Sequence, residues 1–79
     1  MLRAEDVKVG MYVDPKELWE IVGVAFVLTD FVGRQGKVVY KGEPYTEAST
    51  RVVKSLHEAG KPVCTIYEPY DLEEVSWDE

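Results

Sequence analysis

The sequence predicts a small α+β domain: a mainly antiparallel sheet of four to five strands, with one helix over residues 46–59 packed on one face. Three observations predict it. Apolar residues alternate with polar ones at period two over 7–13. A helical apolar face occurs once, between Thr46 and Ala59. Most of the remaining chain is rich in β-branched and aromatic residues and is punctuated by Gly and Pro.

The elements follow in order. Val7, Val9, Met11 and Val13 alternate with Lys8, Gly10 and Tyr12, which reads as a half-buried strand. Asp14-Pro15-Lys16-Glu17 supplies a turn, because proline lacks a donor and holds φ. The apolar run from Leu18 to Leu28 favours strand by its Trp, Ile, Val and Phe content. It is long for one strand, and two strands meeting near Ala25 are the alternative. Thr29 to Gly36 reads as a loop or hairpin tip, with Gly33 and Gly36 able to take positive φ. Lys37 to Lys41 returns from it as a short strand, ended by Gly42-Glu43-Pro44.

Thr46 is then a candidate N-cap, with Glu47 well placed in the first turn. Ala48, Val52, Leu56 and Ala59 form one helical stripe, widened by Val53. Glu47 and Arg51 form an i,i+4 pair. Gly60 and Pro62 stop the helix. Val63 to Tyr67 reads as a strand ended by Pro69. The last residues, with Tyr70, Leu72, Val75 and Trp77, form either an edge strand or an ordered arm.

The chain of 79 residues is expected to be a single domain, 1–79, with an acidic C-terminal segment at 68–79. Its apolar fraction of 46% is too high for wholesale disorder. No apolar run reaches the roughly 18 residues of a membrane span, so no membrane partner is expected. The start lacks the basic-then-apolar layout of a signal peptide. The lone cysteine, Cys64, excludes an internal disulfide framework. A cytoplasmic location is the expectation.

The formal charge of −6 is unevenly placed. Residues 1–67 hold nine basic and nine acidic side chains, so that stretch is neutral. Glu68, Asp71, Glu73, Glu74, Asp78 and Glu79 supply the whole net charge, with no Lys or Arg among residues 68–79. A charge block of one sign biases partner choice and association rate.

Few residues suggest chemistry. His57 is the sole histidine, and neither an orienting acid nor a ligand set is spaced around it. Cys64 sits mid-strand, away from the cationic neighbours that make a thiol reactive, and reads as packed. Neither a P-loop nor a dinucleotide fingerprint occurs. Asp71, Glu73 and Glu74 lack the Gly-bearing loop of a calcium site. No catalytic residue, metal or cofactor is expected, and the chain is not expected to be an enzyme.

The stretch Asp6-Val7-Lys8-Val9-Gly10-Met11-Tyr12-Val13, with Gly36–Gly42 and Val63–Tyr67, resembles the accessory segment that precedes HD-GYP phosphodiesterase domains. The shared residues are generic strand and turn types, and no activity is carried over from them.

The leading functional expectation is a non-enzymatic interaction protein. Tyr70, Asp71, Glu73, Glu74, Trp77 and Asp78 would dock on a basic surface of a protein partner, because aromatics framed by charge are typical interface anchors. An inhibitor acting as a nucleic-acid mimic, of the sort viruses and mobile elements carry, is its most specific form. The first alternative is a module for single-stranded nucleic acid using Arg34, Lys37, Tyr40 and Lys41. Three cations are few for that task, so nucleic acid is the weaker expectation. The second alternative is a homo-oligomeric structural or accessory domain, the basic hairpin of one copy meeting the acidic segment of the next.

Overall fold

A computed structural model describes residues 3–66. It shows the expected α+β architecture: a four-stranded antiparallel sheet and one helix. The strands are β1 (Tyr12–Val13), β2 (Ala25–Val32), β3 (Gln35–Gly42) and β4 (Cys64–Ile66), and the helix α1 is Glu47–Glu58. The sheet order is β1-β3-β2-β4. Two short 3₁₀ turns, Ala4–Asp6 and Pro15–Leu18, belong to the N-terminal segment.

The central strand β2 organises the molecule. Ala25, Phe26, Val27 and Leu28 are fully buried and Thr29 nearly so, so both faces of this strand are dry. Residues directly opposed across an antiparallel pair share a face. Phe26 and Leu28 therefore point to the same side as Val38, Cys64 and Ile66. On that side they join Val7, Val13 and Leu18 in one apolar cluster, with Met11, Trp19, Ile21, Val24 and Phe31 packed around it. The N-terminal segment thus forms one cover of the sheet. The other face, with Val27, Tyr40 and Thr65, lies under α1, which packs on β2 and β3.

Two irregularities shape the β2–β3 hairpin. Between Thr29 and Val32 the register shifts by one residue, and Asp30 there has φ 54°. Aspartate tolerates that left-handed conformation better than most residues, which lets β2 carry a bulge and continue. Val32 pairs with Gln35, and a two-residue turn at Gly33-Arg34, with Gly33 at φ 63°, closes the hairpin. A second shift, between Val27/Tyr40 and Leu28/Val38, leaves Val39 as the extra residue of β3.

The helix starts where its cap residues dictate. Thr46 accepts from the Ser49 amide while the Ser49 hydroxyl accepts from the Thr46 amide, a reciprocal capping box. Its inward stripe is Ser49, Val52, Val53 and Leu56, whereas Ala48 and Ala59 are exposed. The apolar stripe expected from Ala48 to Ala59 is therefore rotated toward the capping serine, whose hydroxyl is satisfied by the Thr46 carbonyl at 2.9 Å. Gly60, at φ 75°, ends the helix. The Thr29 hydroxyl donates to the Pro62 carbonyl at 2.7 Å and pins the helix–β4 link to the central strand.

The first strand is shorter than the alternation over 7–13 suggests. Gly10 takes φ 102°, the Met11 amide turns back to the Lys8 carbonyl, and only Tyr12 and Val13 form ladder pairs with Lys37 and Gly36. Val7 is still buried and Val9 exposed. Leu18 to Val24 is likewise not strand. Asp14 caps the 3₁₀ turn Pro15–Leu18 through the Lys16 amide, and β2 begins at Ala25.

Gly36 fits because it has no side chain. A Cβ there would stand 2.6 Å from the Phe31 ring and 3.0 Å from Leu28 Cβ. Gly36→Ala is expected to destabilise the fold by about 1–3 kcal/mol, the usual cost of overpacking. Urea unfolding should show a lower midpoint with an unchanged slope.

Candidate functional site

The sequence singles out two groups of residues. The six of the acidic segment, Tyr70, Asp71, Glu73, Glu74, Trp77 and Asp78, lie outside the described residues. The four of the basic hairpin, Arg34, Lys37, Tyr40 and Lys41, are all described, and the structure does not gather them into one stripe.

The Val39 bulge takes Lys41 off the face of Lys37, and alternation keeps Tyr40 on the side opposite Lys41. Tyr40 opposes Val27, on the helix side of the sheet, while Lys41 opposes Phe26, on the side of the N-terminal segment. The Tyr40 ring folds over Gly42, where a Cβ would lie 2.6 Å from its hydroxyl oxygen. That hydroxyl lies 3.2 Å from the Thr46 hydroxyl and donates to the Glu43 carbonyl, so Tyr40 braces the N-terminus of α1. The Lys41 ammonium donates to the backbone carbonyls of Ala4, at 2.5 Å, and Val7, at 2.9 Å. It ties the N-terminal 3₁₀ turn to the sheet. Arg34 pairs with Asp14 at 3.8 Å, linking the hairpin turn to the cap of the second 3₁₀ turn. Lys37 is half-buried and opposes Tyr12 and Thr29 on the helix side. Three of the four side chains thus join the sheet to its covers. Lys41 thus lies on the face of the sheet opposite Tyr40 and Lys37.

His57 is exposed on α1, and Cys64 is buried in the apolar cluster between the N-terminal segment and the sheet. Among the described residues, no three His, Cys, Asp or Glu side chains come together as a metal site. None of the described helices is long and apolar enough to cross a membrane.

A feature that sequence reasoning missed lies along the outer side of α1. Thr50, Val53, Lys54, His57 and Glu58 line one shallow, open groove, and Tyr45, Thr46, Glu47, Thr50, Arg51 and Lys54 line a second. The two share Thr50 and Lys54. Tyr45 lines the second, 62% exposed, with φ 59°. A positive φ is unfavourable for a bulky residue, so the loop holds this ring outward at a cost. The sequence signal for the first groove is Val53, an apolar residue off the axis of the inward stripe. Arg51 is paired with Glu47 at 3.8 Å, and Lys61 with Asp30 at 3.4 Å. Lys54 forms no ion pair with another described residue.

No family model matches the chain, and no curated protein or solved structure matches it either.

Replacing Lys41 by Met removes the donor from two backbone carbonyls that the N-terminal turn places beside the sheet. Hydrogen bonds from a charged donor are worth about 1.5–3 kcal/mol, and Lys41→Met should lose a comparable amount in chemical denaturation. Lys37→Met, which breaks no hydrogen bond seen here, should stay within about 0.5 kcal/mol of the parent.

Proposed function

We propose that the protein is a non-enzymatic interaction protein that binds a basic surface of a protein partner through its acidic C-terminal segment. The observation that carries this reading is the division of charge: a neutral body of 67 residues and a segment, 68–79, holding the entire −6. The segment also carries Tyr70, Leu72, Val75 and Trp77, the large side chains that anchor interfaces. The geometry of the described residues adds support from the other side. Arg34, Tyr40 and Lys41 are engaged in holding the sheet to its covers.

Carboxylates spaced along a short chain match a surface that binds phosphates, so a nucleic-acid-binding protein is the partner type whose chemistry fits best. Such an inhibitor acts by occupying the cationic groove, without turnover. Its association is fast at low salt and slows as salt screens the charges. The neutral body serves as the folded part of the chain that carries the segment.

The reading is tested by replacing Asp71, Glu73, Glu74 and Asp78 together with Asn or Gln, which preserves shape and removes four charges. With immobilised nucleic-acid-binding proteins from the native host as probes, capture by the parent protein should fall by at least tenfold between 50 and 500 mM salt, on the order of the screening expected for several exposed charges. The variant should show no capture while melting at the same temperature as the parent. Equal capture by both proteins would sink the proposal.

A further inference from the structure

Two kinds of fastening hold the described elements together. β2 pairs with β3 over most of its length and with all three residues of β4, and α1 packs across β2 and β3. The N-terminal cover, residues 3–21, is held otherwise. Its ladder pairs with the sheet are Tyr12 with Lys37 and Val13 with Gly36. Beside them the Gly10 amide donates to the Val38 carbonyl at 2.7 Å, and the Val38 amide donates to the Met11 carbonyl at 2.8 Å. Two side-chain links add to these: the Lys41 ammonium on the Ala4 and Val7 carbonyls, and Arg34 on Asp14. The remainder is apolar contact, through buried Val7, Val13 and Leu18 and partly buried Met11, Trp19 and Ile21.

The cover is joined to β2 through Val22-Gly23-Val24. Val22 is 75% exposed, and Gly23 has φ 84° with open space where a Cβ would stand. An exposed glycine with free space around it absorbs a change of backbone angle at little cost, which is what a hinge needs. Val24, on the far side of it, is packed against the apolar cluster and stays with the sheet.

Lifting the cover on this hinge breaks one set of contacts and leaves another whole. The β2–β3 and β2–β4 ladders and the packing of α1 on β2 and β3 do not involve residues 3–21. The side of the sheet that loses its cover bears Phe26, Leu28, Val38, Cys64 and Ile66. Cys64 is only 1% exposed in the closed form, where the turn Pro15–Leu18 packs against β4. The Val38 amide loses its acceptor, and β3 becomes an edge strand.

We propose that residues 3–21 form a strap that swings open on Gly23 as one unit while the rest of the described fold stays intact, with Lys41 as its latch. Native proteins open in contiguous units of this kind, and the units that open first are those with few ladder bonds. The open form presents a strand edge and an apolar sheet face that the closed form hides. The strap is separate from the acidic segment, and its opening does not depend on whether a partner is captured.

The test uses the full chain and three reporters of one opening. They are the Cys64 thiol, through its reaction with an aromatic disulfide reagent, and the Gly10 and Val38 amides, through hydrogen exchange. All three should give the same opening constant, larger by about tenfold or more than the constant for global unfolding read from the Val27 and Leu28 amides. Its urea dependence should be shallower than the global one, because the open form exposes less surface. Lys41→Met should raise the opening constant by about tenfold or more, the equivalent of a hydrogen bond from a charged donor. Leu56→Ala, which loosens α1 on the opposite side of the sheet, should lower the urea midpoint and leave the opening constant at its parent value. Cys64 reacting only at the rate of global unfolding, with the full urea dependence, overturns the strap. A Cys64 constant that the Gly10 and Val38 amides do not share also overturns it, since β4 would then be fraying alone. So does an opening constant that rises in Leu56→Ala in step with global unfolding. If either variant fails to fold, the three reporters in the parent chain decide.

Discussion

The rest of the structure depends on the two-sided burial of β2. A strand with water on one face needs a single cover, but Ala25 to Thr29 shed water on both, so the sheet must be roofed twice. Among the described residues there is one helix for one face, and the other is closed by irregular chain. The N-terminal segment contributes Val7, Val13 and Leu18 to that closure, and its backbone carries two short 3₁₀ turns rather than a second helix. Irregular covers present carbonyl groups that no ladder satisfies. The Lys41 ammonium meets two of them, and the Thr29 hydroxyl meets a third in the link after α1.

This constraint also accounts for how the body spends its basic residues. Arg34, Lys41, Arg51 and Lys61 each find a partner within the described residues, whether a carboxylate or backbone carbonyls. A body with equal numbers of basic and acidic side chains has a weak long-range field of its own. The net charge of the whole protein is concentrated in residues 68–79, and that concentration gives the proposed function its direction.

The helix and its limits could be read from the residues because each signal is local. Thr46 competes for the first amides, and Gly60 and Pro62 cannot continue a helix. The strand content of 25–28, 37–41 and 64–66 was similarly readable from β-branched residues. The start of β2 was not. Leu18 to Leu28 is nearly continuous in apolar residues, and such a run has no period to separate buried irregular chain from buried strand. The continuation of β2 through Thr29–Val32 was hidden by Asp30, a turn-favouring residue that here sits in a bulge. The separation of Tyr40 from Lys41 across the sheet follows simple alternation, but the displacement of Lys41 onto the face of Val38 follows from the Val39 bulge, which leaves no mark in composition. Sheet order was beyond local reasoning as well, since it rests on which distant strands share a core.

The claim that β2 holds the fold together is tested most directly by native-state amide hydrogen exchange. The account predicts that the amides of Val27 and Leu28 exchange only through global unfolding, with a protection free energy equal to the unfolding free energy from denaturant. The Tyr12 amide on β1 and the last turn of α1 should open at lower free energy. Exchange at Val27 and Leu28 through local openings, well below the global value, would contradict the account.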